Sequence, residues 1–382
     1  MTHLSRPRVI IFSDHLLYPS ETFIHAQASA LADYEPAFAG ARRVAGLDLR
    51  EQRVHVINRG SINGRIQELG FKLFGRAPAL VRQLQSLKPV LLHAHYGPNG
   101  LRALPLASNL NVPMVVTFHG SDATITDLRY QKTHLGFRLY LAKKAKLRNS
   151  GASFLAVSRF IRKKLLEQGF LDERVIVQYT GVDTKRFQPE STERAPLILF
   201  VGRLEESKGA EFAIRAATEV QKELPLAELV LIGDGSLRSH LEEIARQSLR
   251  LFRFLGVRSS EEVRDWMNRA SVVCVPSVRR RSGEEEAFGM VCAEAQAVGK
   301  PVVAFSSGGI PEVVCHAQTG FLAPERDWRA LAEYMVQLLR DSELRLRFGR
   351  SGREWILRHF DLEQCTRQLE RVYGVLINAN RN

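Results

Sequence analysis

The sequence predicts an α/β protein with two domains, each built on an open parallel sheet that helices cover on both faces. The chain has 382 residues, which is too long for one ordinary hydrophobic core and suits two domains of about 150–200 residues. Short apolar runs alternate with longer amphipathic segments along the whole chain. The series of runs occurs once in each half, so we expect two such sheets.

Apolar runs typical of buried parallel strands, with helical spacing between them, predict the elements of the first half. The predicted strands are Arg8–Phe12, Val90–His93, Val112–Phe118, Ser153–Val157 and Val175–Val177. The predicted helices are Glu21–Leu31, Ala79–Leu87, Leu101–Leu110, Leu128–Arg148 and Arg159–Gln168. Ser20 can accept hydrogen bonds from the first amides of the helix that follows, so we expect it to be the N-cap.

The second half repeats this pattern. Its predicted strands are Leu197–Val201, Leu229–Ile232, Phe252–Leu255, Val272–Val275 and Val302–Phe305. Its predicted helices are Gly209–Glu223, Leu237–Arg246, Glu261–Ala270, Ala293–Val298 and two long C-terminal ones. A polar, proline-bearing segment near 187–196 is typical of a linker. We therefore expect domains at 1–188 and 189–361, with a helix at about 362–382 as a candidate to pack back on the first.

Composition and charge limit the function classes. No segment approaches the roughly 18 apolar residues that span a bilayer. Four cysteines without paired spacing predict reduced thiols in a cytoplasmic protein. The net charge is +13: residues 1–190 hold 27 Lys and Arg against 14 Asp and Glu, and residues 191–382 hold 27 of each. The asymmetry favours an anionic partner for the first half, namely a membrane surface, a phosphorylated ligand or nucleic acid, and a simply solvated basic surface is the alternative.

Two cations follow the first strand of the second half. Ligands of open parallel sheets bind beyond the carboxyl ends of the strands, so two facing sheets predict a cleft lined by such loops. Arg203 comes directly after Gly202 at the strand exit, and Lys208 lies just before the next predicted helix. Two cations there can neutralise a diphosphate, although a structural role fits the spacing equally well. Gly233, in the turn after the next strand, leads into a helix with free first amides.

The strongest pattern surrounds two glutamates, Glu286 and Glu294. The segment Phe288–Met290 opens a helix whose first amides can hold a phosphate. Glu294 lies about two turns further along on a small, apolar helix, where a carboxylate is costly unless it accepts hydrogen bonds. Sugar and ribose hydroxyls would donate such bonds, and an arginine partner or a backbone cap is the alternative. The acidic triplet at 284–286 is expected to be mostly solvated, with only Glu286 at the spacing of the motif.

This combination of motifs resembles glycosyltransferase family 4. The resemblance rests on Glu-x7-Glu around a Phe-Gly pair, preceded by Gly-Arg-x4-Lys-Gly after a strand, and it covers nearly the whole chain. Further segments that carry it are Thr117–Asp122, Ala156–Ser158, Gly181–Asp183 and Ser307–Glu312. The resemblance implies two facing Rossmann-like domains with a cleft between them, the architecture called GT-B, and a retaining enzyme that uses a nucleotide-sugar donor.

The resemblance also implies roles for individual residues. Arg203 and Lys208 would bind the donor diphosphate, Glu286 would contact the transferred sugar, and Glu294 would bind the ribose hydroxyls. His119 would hydrogen-bond the sugar near the reacting carbon, which makes it a fourth catalytic candidate beside Arg203, Lys208 and Glu286. The other donor-binding candidates are Gly202, Gly233, Val257, Arg258, Phe288, Gly289 and Met290, of which Val257 and Arg258 would hold the base.

Three histidines lie near two strand ends, and they raise the question of a metal site. We predict none, because no DxD motif or carboxylate with metal spacing accompanies His93, His95 and His119. We also expect the side chains of His93 and His95 to point to opposite faces of the sheet. A hydrogen-bonded core histidine is the preferred interpretation of His93.

The loop after the first strand departs from the common form of the family, which carries a Gly-Gly pair there. Here the loop contains Pro-Ser-Glu-Thr-Phe-Ile at 19–24, which is similar to a branch that builds exopolysaccharides of the colanic-acid and amylovoran kind. The departure leaves open whether this loop contacts donor phosphate or acceptor.

The family implies retention of the anomeric configuration without a metal, and no cofactor beyond a UDP- or GDP-sugar co-substrate. A phosphate oxygen of the departing diphosphate would take the proton of the incoming hydroxyl. The acceptor would be a glycan, a lipid-linked molecule or a small molecule. The basic runs Lys143–Arg148 and Arg162–Lys164 lie on predicted helices and suit anionic lipid headgroups, which predicts a peripheral contact with the inner face of the cell membrane.

Other functions fit less well. A nucleic-acid-binding protein would account for the positive charge but leaves Glu286, Glu294 and the neutral second half unexplained. An epimerase or phosphorylase of the same architecture is the closest alternative, although no segment recommends itself as a pyridoxal-phosphate lysine site. A dehydrogenase is disfavoured because no G-x-G-x-x-G follows the first strand.

Overall fold

A computed structural model describes residues 6–18, 21–49, 52–125, 135–190 and 196–380. The chain divides into two compact units. The first unit comprises Met1–Gly181 and Leu362–Asn382, and the second comprises Val182–Asp361. The division thus falls after Gly181, where we expected it after residue 188. The first unit holds 28 Lys and Arg against 14 Asp and Glu, and the second holds 26 against 27, so the charge asymmetry follows the structural division.

The first unit is built on a parallel sheet. Its strands are β1 (Arg8–Phe12), β2 (His15–Leu16), β3 (Glu35–Arg43), β4 (Val54–Asn58), β5 (Pro89–His95), β6 (Met114–Phe118), β7 (Ser153–Ala156) and β8 (Val175–Val177). They follow the order β2-β3-β1-β5-β6-β7-β8, with β4 paired to β3. The helices are α1 (Thr22–Ser29), α2 (Ile62–Phe74), α3 (Pro78–Ser86), α4 (Gly97–Leu110), α5 (Ser121–Thr124), α6 (Leu135–Arg148) and α7 (Arg159–Glu167). The five predicted strands are confirmed, but β2, β3, β4, α2 and the short α5 were missed, and residues 128–134 of the predicted helix Leu128–Arg148 lie outside the described residues.

The second unit is a six-stranded parallel sheet in the order β11-β10-β9-β12-β13-β14. Its strands are β9 (Leu197–Val201), β10 (Glu228–Ile232), β11 (Phe252–Gly256), β12 (Val272–Val275), β13 (Val302–Phe305) and β14 (Gly320–Ala323). Its helices are α8 (Ala210–Glu223), α9 (Arg238–Ser248), α10 (Ser260–Arg269), α11 (Met290–Ala297), α12 (Ile310–Val313), α13 (Trp328–Arg340) and α14 (Ser342–His359). Strand β14 was missed, and three long helices, not two, close the chain.

The last of these helices, α15 (Leu362–Ala379), packs on the first unit. Leu369, Tyr373 and Ile377 on its buried face belong to the same hydrophobic core as Val9 and Leu91 of the central strands. At the other end of the unit, the expected N-cap Ser20 lies outside the described residues, and α1 begins at Thr22. None of the helices in the described ranges is both long enough and apolar enough to span a bilayer.

Each sheet has one point where the direction of strand addition reverses. In the first unit the chain builds outward from β1 to β3 and β4 and then returns to the other side of β1 with β5. In the second unit the corresponding neighbours are β9 and β12. Loops leave such neighbouring strands in opposite directions and open a crevice at their carboxyl ends, which is where open α/β sheets bind ligands.

Candidate active site

The loops that follow β9, β10 and β12 are held together by backbone contacts that only glycine permits. Gly209 has φ of 68°, and a Cβ there would lie 1.9 Å from the carbonyl oxygen of Pro276. Gly233 has φ of 133°, and a Cβ there would lie 1.9 Å from the carbonyl oxygen of Gly202. Both conformations are strained for a side-chain-bearing residue. Close contact between these loops therefore brings the residues after β9 against those after β12.

Lys208 and Glu286 form an ion pair at this switch point. A single 3₁₀ turn at Glu206–Lys208 places the Lys208 ammonium 2.6 Å from Oε2 of Glu286. The Ser277 hydroxyl, which follows β12, donates to the same oxygen at 3.2 Å. Sequence reasoning missed Ser277, because no spacing links it to Glu286. The pair joins two charges that lie 78 positions apart in the chain.

The electrostatics keep Glu286 ionised. Burial alone raises the pKa of this carboxyl group, but the charge of Lys208 and the hydrogen bonds from Lys208 and Ser277 outweigh it, so the net pKa is lowered. The site therefore presents a carboxylate beside the Lys208 side chain. Such a pair can bind an anionic group and a hydroxyl group at the same time.

The backbone of Glu286 is fixed from the far side by the loop after β13. The amide of Gly309 donates to the Glu286 carbonyl oxygen at 2.9 Å, and a Cβ at Gly308 would lie 2.0 Å from that oxygen. Phe288 is buried, and its ring packs edge-on against Phe360 at 5.2 Å. The Phe288 side chain is thus an anchor of the loop, which leaves only its backbone as a ligand-binding group.

Glu294 is a carboxylate with no hydrogen-bond or ion-pair partner among the residues the structure describes. It is the fifth residue of α11, just over one turn from Gly289 at the N-cap, so the predicted distance of two turns was too long. Burial raises its pKa to about 7, and the charge of Arg186 offsets the rise only in part. Of the alternatives, an arginine is near enough for its charge to act on Glu294, but Arg186 makes its ion pair with Glu261 in the described part of the chain. A partly buried carboxylate of this kind can accept hydrogen bonds from ligand hydroxyls.

The acidic triplet is not mostly solvated, and that prediction was wrong. The three side chains are only 10–15% exposed, and each pairs with a different cation. Glu284 pairs with Arg280 at 2.9 Å and Glu285 with Arg279 at 3.2 Å, whereas Glu286 pairs with Lys208. Basic residues immediately before the triplet therefore hold the first two glutamates, and only the third reaches the switch point.

Three further predicted donor residues follow β9 and β11, and the charge of one of them, Arg203, helps to lower the pKa of Glu286. Arg203 is exposed and its guanidinium bonds Glu205 at 3.0 Å. Val257 is exposed, and Arg258 lies 3.8 Å from Glu262 on α10. Both follow β11, the edge strand of the sheet, and are separated from β9 by β10. The roles predicted for these three residues stay predictions.

The first unit carries a chain of imidazole rings at its own carboxyl edge. Nε2 of His119, which follows β6, lies 3.0 Å from Nδ1 of His95, whose ring stacks on that of His93 at 4.2 Å. His93 bonds the Tyr373 hydroxyl and Thr117 Oγ1, both at 2.6 Å. The expectation of opposite faces for His93 and His95 was wrong, because residues two apart in a strand share a face. Burial lowers the pKa of His119 to about 3, so the ring is neutral.

Asp122 ties two loops of this edge together. Its carboxylate accepts from the amides of Gly97 at 2.8 Å, Gly120 at 2.9 Å and His119 at 3.2 Å. Burial raises the pKa of Asp122, and the amides and the charge of Lys144 oppose that rise. The residue fixes the start of the loop that carries His119. Sequence reasoning included Asp122 in a motif but gave it no role.

Comparison with known proteins shows the family of this chain. Two family models match the chain, "Glycosyltransferase Family 4" at residues 20–186 and "Glycosyl transferases group 1" at residues 181–355. An uncharacterized glycosyltransferase of Methanocaldococcus jannaschii is 32% identical over 75% of this chain and 75% of that protein. The chain belongs to glycosyltransferase family 4. The predicted family and enzyme class, a hexosyltransferase, are confirmed.

Two further comparisons concern a sequence relative and a solved structure. The amylovoran biosynthesis glycosyltransferase of Erwinia amylovora is 30% identical over 65% of this chain and 60% of that protein. The structure of Anabaena HepE, in complex with UDP and glucose, is similar with a TM-score of 0.79 at 19% identity, covering 97% of this chain and all of that one. At this identity the likeness shows the fold, two Rossmann-like domains of the GT-B class, as predicted.

The basic helices of the glycosyltransferase are less available to lipid than predicted. Lys144 on α6 bonds Gln168 and lies over the Tyr140 ring at 5.4 Å, and burial lowers its pKa to about 8. On α7, Arg162 pairs with Asp172 and Lys164 lies 3.6 Å from Glu167. Internal partners thus hold three of the cations that we expected to meet lipid headgroups.

Proposed function

We propose that this enzyme transfers a hexose from a UDP- or GDP-linked sugar to a glycan or lipid-linked acceptor, with retention of the anomeric configuration and without a metal ion. The observation that carries the proposal is the Lys208–Glu286 pair at the switch point of the second unit. The structures of HepE with UDP and with UDP-glucose support a nucleotide-sugar donor.

The two cations after β9 stabilise the leaving group. An ammonium has three donors, so Lys208 keeps one bond to Glu286 and directs others to the diphosphate. Arg203 is exposed, and among the described residues it pairs with Glu205; a bidentate contact with phosphate replaces that pair when the donor binds. Charge develops on the diphosphate as its bond to the sugar breaks, and fixed cations lower the energy of that state.

The two glutamates hold the donor by its hydroxyls. Both internal bonds to Glu286 end on Oε2, and its other oxygen accepts from a hydroxyl of the transferred sugar. Glu294 accepts from the ribose hydroxyls. Ribose binding stabilises the ionised form of Glu294, whose pKa is about 7 in the absence of ligand. At a pH near that value, donor binding therefore releases a proton.

The transfer step needs no base from the protein. The bond from the anomeric carbon to the diphosphate oxygen breaks, and the acceptor oxygen bonds the same carbon from the same face. The acceptor proton passes to the departing diphosphate oxygen. Lys208 supplies charge stabilisation throughout and gives up no proton.

The acceptor meets the first unit, whose excess of positive charge suits a phosphate-bearing or membrane-bound molecule. The relative from Erwinia amylovora is named for the biosynthesis of amylovoran, a polysaccharide. We infer the same type of acceptor here. The first unit would contact the inner face of an anionic membrane when the acceptor is lipid-linked.

Product analysis with labelled UDP- and GDP-sugars tests the proposal. We expect a new glycoside, with the anomeric configuration of the donor by proton NMR and with full activity in excess EDTA. Release of an epimerised nucleotide sugar, or phosphate-dependent release of a sugar phosphate, would show one of the alternative enzymes of this architecture instead.

A further inference from the structure

Helix α2 is amphipathic, but its polarity is inverted relative to the usual surface helix. The residues it turns toward the first unit are Gly64, Glu68 and Phe71, and all three are buried. Its opposite face carries five large apolar side chains that are 57–77% exposed, at helical spacing: Ile62, Ile66, Leu69, Leu73 and Phe74. A surface helix ordinarily turns its apolar stripe to the core, so an exposed stripe of this length marks a docking surface.

The surroundings of α2 are strongly cationic. Residues 52–121 contain eight Lys and Arg and a single acidic residue, Glu68. That glutamate is buried and bonded to Asn58 and Lys72, so it contributes little to the outer surface. The exposed arginines beside the stripe are Arg59, Arg65, Arg76 and Arg82. The face is therefore apolar along its centre and positive at its margins, which is complementary to an anionic bilayer.

We propose that α2 is the membrane-docking helix of this enzyme. It lies in the plane of the headgroups, with Ile66, Leu69 and Leu73 toward the acyl chains and the flanking arginines at the phosphates. This inference rests on the proposed contact between the first unit and an anionic membrane, and it names the surface. In this proposal α2, and not α6 or α7, is the helix that contacts the membrane, because several cations of α6 and α7 are held by internal partners.

The inner face of the same helix reaches the switch point of the first unit. The Lys72 ammonium lies 3.7 Å from Oδ2 of Asp14, which follows β1, and Arg102 lies 3.5 Å from the same oxygen. One helix therefore has its apolar side toward lipid and a cationic side chain at the carboxyl edge of the sheet. A lipid-linked acceptor at the bilayer surface would have its headgroup beside that edge.

Vesicle co-sedimentation tests the proposal. Vesicles of phosphatidylglycerol with phosphatidylcholine are compared with phosphatidylcholine alone, for the wild type and for the triple variant Ile66→Gln, Leu69→Gln, Leu73→Gln. Glutamine keeps the helix propensity while removing the apolar surface. We expect the partition coefficient on anionic vesicles to fall about 100-fold. The matched control, Leu226→Gln with Leu346→Gln, removes two exposed leucines of the second unit and should bind like the wild type.

A second variant separates charge from apolar contact. Arg65→Gln with Arg76→Gln should lower the partition on anionic vesicles about tenfold and leave the weak binding to phosphatidylcholine unchanged. Thermal unfolding and the thermal shift with UDP or GDP, measured on every variant, show that the fold and the second unit are intact.

Equal binding of the wild type and the triple variant would overturn the assignment of α2 while leaving the membrane contact standing. Absence of wild-type binding to anionic vesicles would overturn both. Sedimentation-velocity evidence that the stripe joins two copies of the chain would overturn the assignment of α2 alone. Sugar transfer to a soluble acceptor, measured on the same preparations, reports on the proposed transferase activity independently of each of these results.

Discussion

The two switch points of this enzyme are built in different ways. In the second unit, Lys208 and Glu286 stand as a charged pair on short loops that close glycine contacts lock together. In the first unit, the loops after β5 and β6 carry neutral imidazoles and Asp122, which binds backbone amides, while the charged groups Lys72 and Arg102 are paired with Asp14 after β1. A site with fixed opposite charges suits a diphosphate and its hydroxyl-bearing sugar, whereas the neutral imidazoles after β5 and β6 suit uncharged hydroxyls.

The buried polar groups of the two units have different partners. In the second unit a charged pair lies at the proposed donor site, and Glu294 has no hydrogen-bond or ion-pair partner in the described part of the chain. The first unit uses its buried polar groups on its own loops and on α15, through the Tyr373–His93 bond. Substitutions should therefore damage catalysis in one unit and stability in the other.

The largest effect is expected from Lys208→Ala. Loss of one preorganised cation at the leaving group should lower kcat about 10²–10³-fold. The matched control is Lys222→Ala, which removes an exposed lysine paired with Glu219 on α8 and should leave kcat unchanged. Steady-state kinetics with the labelled donor give the comparison, and wild-type turnover of Lys208→Ala would remove this lysine from the mechanism.

In the first unit, Asp122→Ala should destabilise the fold by about 3 kcal/mol, because three amides lose a buried acceptor. Asp122→Asn keeps one acceptor oxygen and should cost less. Urea denaturation measures both variants. Binding of UDP or GDP to the second unit should persist in each, and its loss would break the separation of roles between the units.

Glu294→Gln should change how stability depends on pH. The folded pKa of about 7 lies above the usual value of 4.5 for a glutamate, so between these values the folded protein holds a proton that the unfolded chain releases. The stabilisation is complete at a pH below the unfolded pKa and is lost as the pH rises through the folded pKa of about 7. The free energy of unfolding should fall by about 1–2 kcal/mol over this range for this partly buried group. The ligand-free wild type should show this loss, and the Gln variant should not.

Urea titrations of the ligand-free protein at about pH 5 and about pH 8 measure the difference between these two forms. Parallel pH dependence in the wild type and in Glu294→Gln would mean that the carboxyl group titrates normally. The variant should also bind the nucleoside diphosphate more weakly at the higher pH, where the wild-type carboxylate is ionised.

The smallest effect is expected from Tyr373→Phe, which removes the 2.6 Å bond to His93. The free energy of unfolding should fall by about 1 kcal/mol. Tyr334→Phe on α13 of the second unit is the matched control and should be close to neutral. A large loss of turnover in Tyr373→Phe, with stability unchanged, would assign the imidazole chain to catalysis instead.

The strands that could be predicted from the sequence are those whose apolar runs are continuous. Strands β1, β9, β12 and β13 match their predicted bounds, because both faces of each strand are buried. Strand β3 was missed because its central Ala-Phe-Ala-Gly-Ala is poor in β-branched residues. The apolar residues of helix α2 lie at helical spacing, so the helix could have been predicted; that its apolar face points away from the core could not.

The candidate site likewise contains residues that the sequence predicts and residues that it does not. Glu286 and Glu294 lie within one motif, so spacing alone singled them out. Ser277 and Asp122 act through contacts with backbone or with a side chain from another loop, and nothing in their neighbourhood in the sequence signals this. The error for His93 and His95 was one of geometry, since the two-residue period of a strand places them on one face.

The central claim is that the donor binds at the switch point of the second unit. Hydrogen exchange followed by mass spectrometry, with and without UDP or GDP, tests it most directly. We predict that the nucleotide slows exchange in residues 202–209 and 277–294 and leaves the loops after β5 and β6 unchanged. Protection of the loops around His95 and His119, with the second unit unaffected, would contradict the account.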